Sequence, residues 1–284
     1  MGTYVVTGSA SGMGCQAADR LRAAGQSVIG VDLRDAEVIA DLSTPQGRVT
    51  AAQGVLAAVE GGCLDGAVLA AGLGPLPGAD RAALIYQVNF AGVVELLTAW
   101  QPVLAAGKAK VVVVGSNSTT TTPAVPRRAV RALLAGRPDK ALRAVRPFGP
   151  GASSLAYAAS KIAVSRWVRR HAVSADWAGA GIRLNVLAPG AILTPLLEEQ
   201  LAAPGQSKAV RAFPVPIGGF GDAGQIADWI LFMLSDAADF LCGSVVFVDG
   251  GSDAYFRPDA WPKGPSILSL PRYFWRFARF ARRR

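Results

Sequence analysis

Tyr157 and Lys161 stand four residues apart in Tyr157-Ala158-Ala159-Ser160-Lys161. On a helix that spacing puts a phenol and an ammonium on one face. A phenol left alone titrates near 10, and a neighbouring positive charge favours its phenolate, so the pair can move a proton near neutral pH. The same spacing also describes many solvated helix faces. A second chemical feature accompanies it: Thr7-Gly8-Ser9-Ala10-Ser11-Gly12-Met13-Gly14 is a glycine-rich turn suited to presenting backbone N–H groups to a phosphate. His171 is the single histidine, so Ser-His-Asp catalysis would depend on it alone. Its place beside Arg169 and Arg170 on a basic helix reads as a solvated helix position.

These groups need elements to hold them. Residues 3–7 form an apolar strand that runs into the glycine turn. A helix follows with Ala17, Ala18, Leu21 and Ala24 facing inward, and it stops at Gly25. A second strand, 27–31, ends at Asp32. Strand, glycine turn, helix, strand and terminal acid is the order of a dinucleotide-binding unit. Gly8 permits the tight turn, and Gly12 and Gly14 allow close approach to a pyrophosphate at the positive helix end. Asp32 would bind the adenine-ribose hydroxyls and repel a 2′-phosphate, which predicts NAD over NADP, with Arg34 arguing the other way.

Strand-like runs then recur at 38–42, 64–71, 110–115, 182–188 and 245–249, separated by helical stretches. Ser43-Thr44-Pro45 reads as a helix cap with proline in the first turn. Residues 80–106 read as one long helix burying Val88, Val93, Leu96, Leu97 and Trp100. The four valines 111–114 suit a central parallel strand covered on both faces. The alternation predicts an α/β fold, a Rossmann-type doubly wound parallel sheet of about seven strands, in a single domain over residues 1–257.

With 51% hydrophobic and 17% charged residues, the 284-residue chain is no disordered protein and can bury a large core. Cys15, Cys63 and Cys242 show neither pairing nor metal spacing, so reduced thiols and no metal are expected. Met1 leads straight into a strand without a basic n-region or cleavage site, so a cytoplasmic protein without a secretory signal is expected. No apolar run reads as long enough to span a bilayer. Residues 259–284 hold seven basic side chains against Asp259, which places +6 of the net charge of +9 in the tail. The remaining +3 argues against a nucleic-acid surface.

Taken together, these residues resemble the short-chain dehydrogenase/reductase family over about 3–253. Thr7-Gly8, Gly12 and Gly14 match its cofactor turn, to which Ser11 and Met13 also belong. Asp41-Leu42 resembles its adenine contact, and Ala70-Ala71-Gly72 its Asn-Asn-Ala-Gly strand end, without the asparagines. Asn89, Ser116, Tyr157 and Lys161 match its catalytic tetrad. Pro189-Gly190 with Ile192 and Thr194 resembles the segment that holds the nicotinamide, and Asp249-Gly250-Gly251 closes the last strand. The stretches 35–44, 71–75 and 155–158 look most like bacterial hydroxysteroid dehydrogenases.

The resemblance implies hydride exchange between NAD and a secondary alcohol or ketone, on an apolar, steroid-like or alicyclic substrate. Tyr157 would be the acid/base, Lys161 would lower its pKa, Ser116 would orient the substrate oxygen, and Asn89 would serve a water-linked proton path. Ile192, Leu193, Leu196, Leu197, Phe213 and Val215 are candidate pocket or lid groups. Two other functions stay open. An NADPH-dependent carbonyl reductase is opposed by Asp32, and a non-catalytic, membrane-tethered cofactor-binding scaffold is opposed by the intact tetrad. Ser116 and Tyr157 lie 41 residues apart, much farther than is usual in the family. This insertion, about 120–154, carries an amphipathic pattern over 127–145 interrupted at Gly136-Arg137-Pro138, which predicts one or two short helices. By resemblance the insertion implies a homodimer; a homotetramer is the family's other assembly.

Residues 258–284 form a basic, aromatic extension, with a helix expected after Pro271. Arg272, Arg276, Arg279 and Arg283 would form one stripe, and Tyr273, Phe274, Phe277, Phe280 and Ala281 another. Such a helix suits an anionic membrane surface through 271–284, making the protein peripheral there. It equally suits docking on its own or a partner subunit.

Overall fold

The computed structural model describes all residues except 204–206, 261–265 and 282–284. Seven parallel strands form one sheet in the order β3-β2-β1-β4-β5-β6-β9. They are β1 (Thr3–Thr7), β2 (Ser27–Asp32), β3 (Val38–Ile39), β4 (Gly66–Leu69), β5 (Lys110–Val114), β6 (Arg183–Pro189) and β9 (Val245–Val248). Two short strands not foreseen in the sequence, β7 (Ile192–Leu193) and β8 (Gly221–Asp222), pair separately. The sheet order reverses between β1 and β4, so their carboxyl ends open a crevice where ligands bind in doubly wound folds.

Side-chain alternation explains the two-sided core. Val111 and Val113 of β5 join helices Pro45–Val59, Val93–Ala106 and Ala152–His171 on one face. Val112 and Val114 join helices Gly12–Ala23 and Ala223–Leu234 on the other. All four valines are buried, which accounts for an unbroken apolar run.

Several boundaries differ from expectation for identifiable reasons. Leu64 N–H bonds to Val103 O and lies before β4, and Ile182 N–H bonds to Trp177 O before β6. Asp249 leaves β9 because its carboxylate accepts from the N–H groups of Gly251 and Asp253. Thr44 caps the next helix as expected, its Oγ1 accepting from Gly47 N–H at 2.9 Å with Pro45 in the first turn. Gly25, at φ +75°, ends the first long helix in a C-terminal motif closed by Gln26 N–H to Leu21 O.

The helix expected over 80–106 is Arg81–Tyr86 and Val93–Ala106 joined by a π-helical segment, Gln87–Gly92. Contrary to the expectation about apolar runs, Arg81–Ala106 is long and apolar enough to cross a membrane. Leu96, Leu97, Trp100 and Leu104 are wholly buried in the protein core, which accounts for that composition here. His171 is half-buried rather than solvated: its ring stacks 4.1 Å from Trp167 and its Nδ1 lies 2.8 Å from Trp167 O.

The insertion folds as two short helices, Arg127–Leu133 and Pro138–Val145, turned by Gly136 at φ +67°. Val130, Leu133, Ala141 and Val145 bury their joint face against the core. The tail holds a 3-10 turn at Ile267–Ser269 and a helix at Leu270–Ala281, which starts two residues earlier than expected. Arg283 of the expected basic stripe lies outside the described residues.

Candidate active site

The glycine turn lies where β1 meets helix Gly12–Ala23. Gly8 sits at φ +72°, and a Cβ there would meet Ala71 N at 2.8 Å. A Cβ on Gly14 would meet Gly8 O at 2.2 Å, and Gly12 sits at φ +56° with Thr194 Cγ2 3.5 Å from its Cβ position. At Gly8 and Gly14 a side chain would collide with backbone, and Gly12 holds a left-handed conformation, so the turn packs this closely only with glycine at these positions. Ser11, in extended conformation, makes no side-chain cap, so the turn's first N–H groups remain available to an anion. The Thr7 hydroxyl accepts from Ala71 N–H at 3.2 Å, joining the turn to the end of β4.

Asp32 closes β2 beside this turn. Its carboxylate accepts from Ala10 N–H at 2.9 Å and Leu33 N–H at 2.7 Å. A second anion placed there would meet an existing negative charge. Arg34 is not among the residues lining the neighbouring cleft; its side chain is 84% exposed and only loosely paired with Asp35.

A cleft of about 510 Å³ runs along these carboxyl strand ends. Gly8, Ser11, Gly12, Met13, Gly14, Asp32, Asp41, Leu42, Ala71, Gly72, Tyr157, Lys161 and Thr194 all line it. The tight glycine turn, its N–H groups and the carboxylate fit a dinucleotide lying from Asp41-Leu42 to Tyr157. One contributor escaped sequence reading: buried Arg48 donates from Nη1 to Leu42 O at 3.1 Å and pairs through Nε with Glu95 at 2.7 Å. Only the capping pattern 43–45 marked that helix, and nothing in it singles out Arg48.

A second cavity, about 310 Å³, adjoins the cleft and shares Met13, Gly115, Tyr157, Thr194 and Leu196 with it. Ser116, Pro189, Gly190 and Ile192 line this second space. Ile192, Leu196, Leu197 and Phe213 give it an apolar wall, while Leu193 is largely exposed and Val215 faces the Gly250 position instead. Opposite stand hydroxyl groups the sequence reading did not assign to it: Ser118, Thr121, Thr122 and Ser154. Their signal was visible in the Ser-Thr run after Ser116 and in Ser154, one helical turn before Tyr157. The Ser118 Oγ is buried without a hydrogen-bond partner. Among the described residues, no charged side chain lines this cavity.

Helix Ala152–His171 carries Tyr157 and Lys161 on one face, as their spacing requires. Lys161 is buried, and its Nζ donates to Val114 O at 2.7 Å. Its ammonium lies 5.9 Å from the Tyr157 ring centre. Burial lowers the Lys161 pKa to about 8. Burial raises that of the Tyr157 phenol, opposed by a side-chain hydrogen bond with Ser116. Lys161, which the resemblance assigns to lowering the phenol's pKa, is not among the groups that shift it in the cofactor-free protein, where burial is the largest cause.

Asn89 lies behind the cleft, in the π-helical segment, and is buried. Its Oδ1 accepts from Leu73 N–H at 2.8 Å, and its Nδ2 donates to Leu73 O at 3.0 Å. The amide thus grips the backbone just after Gly72. A Cβ on Gly72 would lie 3.4 Å from Asn89 Oδ1 and 3.8 Å from Lys161 Nζ. Among the described residues, no group of three or more His, Cys, Asp or Glu side chains could hold a metal ion.

Comparison with known proteins agrees with this geometry. Residues 144–253 match a family model described as enoyl-(acyl carrier protein) reductase. The chain is 40% identical, over 91% of its length and 99% of the relative's, to a 3-alpha-hydroxysteroid dehydrogenase/carbonyl reductase of Comamonas testosteroni. It is 29% identical, over 89% of its length and 94% of the relative's, to 3beta-hydroxysteroid dehydrogenase 1 of Eggerthella lenta. The crystal structure of a 3-alpha-hydroxysteroid dehydrogenase from Pseudomonas sp. B-0831, complexed with NADH, superposes with a TM-score of 0.84 at 42% identity. That match covers 91% of this chain and all of the other.

Proposed function

Because the chain belongs to the short-chain dehydrogenase/reductase family, we propose that it is an NAD(H)-dependent enzyme interconverting a secondary alcohol and a ketone on an uncharged alicyclic substrate of the hydroxysteroid kind. The observation that carries this reading is the position of Tyr157. Its phenol stands in the wall shared by a cleft that fits a dinucleotide and a second cavity that, among the described residues, no charged side chain lines. NAD supplies the hydride acceptor or donor when bound.

The chain's own groups do the rest. In oxidation Tyr157 takes the proton of the substrate hydroxyl, and in reduction it gives that proton to the carbonyl oxygen. Ser116, hydrogen-bonded to the phenol, donates to the same oxygen and fixes its distance from Tyr157. Lys161, tethered to Val114 O, holds positive charge beside the phenol below about pH 8 and makes the phenolate less unfavourable. Asn89 acts through the Leu73 backbone, fixing the segment that follows β4 beside Lys161. Asp32 selects the cofactor by opposing a 2′-phosphate. The apolar wall excludes water from the reacting centre, and the Ser118 hydroxyl is placed to meet a second polar group on the substrate.

Residues 1–257 make up the catalytic unit in this reading, with 120–154 as its insertion and 258–284 as an extension. Fluorescence titration with NADH and NADPH, followed by turnover on secondary alicyclic alcohols, hydroxysteroids and charged open-chain alcohols, tests it. Tighter NADH binding and turnover confined to neutral cyclic substrates are expected. Turnover of the charged open-chain set alone would overturn the substrate assignment.

A further inference from the structure

The tail leaves the body at the rim of the second cavity. Helix Ser252–Phe256 brings the Phe256 ring to 5.6 Å from Phe213, which lines that cavity, and Ser252 Oγ donates to Pro214 O at 2.7 Å. Beside it Ile217, Tyr255 and Phe256 present apolar surface to solvent. The chain then continues to the turn Ile267–Ser269 and the helix Leu270–Ala281. Apolar side chains stay uncovered there as well: Ile267 is 82% exposed, Leu268 94% and Phe274 63%.

Helical spacing sorts the tail into two faces. Arg272, Arg276 and Arg279 fall on one side, and Leu270, Tyr273 and Phe274 on the other. The Arg279 guanidinium lies over the Trp275 ring at 5.0 Å, at the border between them. Exposed aromatic and aliphatic groups that face water are unfavourable unless something covers them. Charge complementarity decides what does. Residues 259–284 carry +6 of the net +9, and the remainder of the chain is itself +3. A second copy would thus oppose these arginines with like charge, whereas anionic headgroups complement them while the apolar face enters the acyl boundary.

We propose that residues 267–281 bind an anionic phospholipid surface. The surface binding stands independently of the dehydrogenase reading; delivery of an apolar substrate from the lipid rests on that reading. The test is cosedimentation of the full chain, without cofactor or substrate, with vesicles of phosphatidylglycerol and phosphatidylcholine or of phosphatidylcholine alone. Binding is expected on the anionic vesicles only, and it should weaken with added salt. It should fall at least about tenfold in an Arg272→Glu/Arg276→Glu/Arg279→Glu variant, because each basic side chain near such a surface contributes comparably. A Tyr273→Ser/Phe274→Ser variant should lose binding as well. Both variants should keep the wild-type turnover of a water-soluble alcohol, which shows that the body is folded. Equal partition onto neutral vesicles, or binding undiminished by charge reversal, would overturn the proposal. So would concentration-dependent self-association without lipid that the Tyr273→Ser/Phe274→Ser change abolishes, since a second copy would then cover the face.

Discussion

Lys161 Nζ lies 2.7 Å from the carbonyl oxygen of Val114, the last residue of β5, two positions before Ser116. This bond ties the helix bearing Tyr157 to the end of the strand that leads into Ser116. It also leaves a buried ammonium with a neutral partner. That environment disfavours the charged form and accounts for the lowered pKa.

The pH consequence follows from the sign of that shift. Lys161 titrates near 8 in the folded protein against an ordinary lysine value near 10.4 in the unfolded chain. Between those values the unfolded state binds more protons, so the contribution of Lys161 to stability rises with pH across that window. Below about pH 8 its burden is fully present. Urea unfolding of the cofactor-free protein from pH 7.5 to 10, at about half-unit steps, should therefore show wild type gaining stability relative to Lys161→Met. A pH-independent difference would contradict the buried, destabilised ammonium.

Arg48 is expected to matter for cofactor affinity without touching the reacting atoms. Its guanidinium holds the Leu42 carbonyl at the far end of the cleft, and its pairing with Glu95 is half open to solvent on the acidic side. Arg48→Leu leaves the Leu42 carbonyl without that donor and should cost about 1–3 kcal/mol of stability. At saturating cofactor, kcat should stay near wild type while KM for NAD rises several-fold. An unchanged KM with lowered kcat would contradict this placement.

Asp32→Asn removes the charge but retains an acceptor for Ala10 N–H. The ratio of kcat/KM for NAD over NADP should drop by at least about tenfold, corresponding to roughly 1.4 kcal/mol of lost discrimination. Measuring both cofactors on the same alcohol checks it. A ratio that does not move would show that the Asp32 carboxylate does not face the adenine ribose.

Most of the site was legible because backbone demands are local. Gly8, Gly12 and Gly14 announce a turn whose geometry admits no side chain, and Tyr157 with Lys161 announces a helix face. The two helices of the insertion were visible in their apolar spacing and in Gly136. Less legible were contacts between distant elements. Arg48 meets Leu42 and Glu95 only after the sheet has assembled, and Asn89 meets Leu73 across 16 residues by way of a π-helical segment that no apolar pattern signals. The titration of Tyr157 was also hidden, since burial is a property of the packed fold and outweighs what a neighbouring charge in sequence suggests.

In the proposed reaction Tyr157 moves the proton that accompanies hydride transfer. Tyr157→Phe keeps the ring between the two cavities and removes only the hydroxyl. NADH binding by fluorescence should stay within about twofold of wild type, while turnover of a secondary alcohol falls by about 10²–10⁴. Turnover within a few-fold of wild type in this variant would contradict that role for Tyr157.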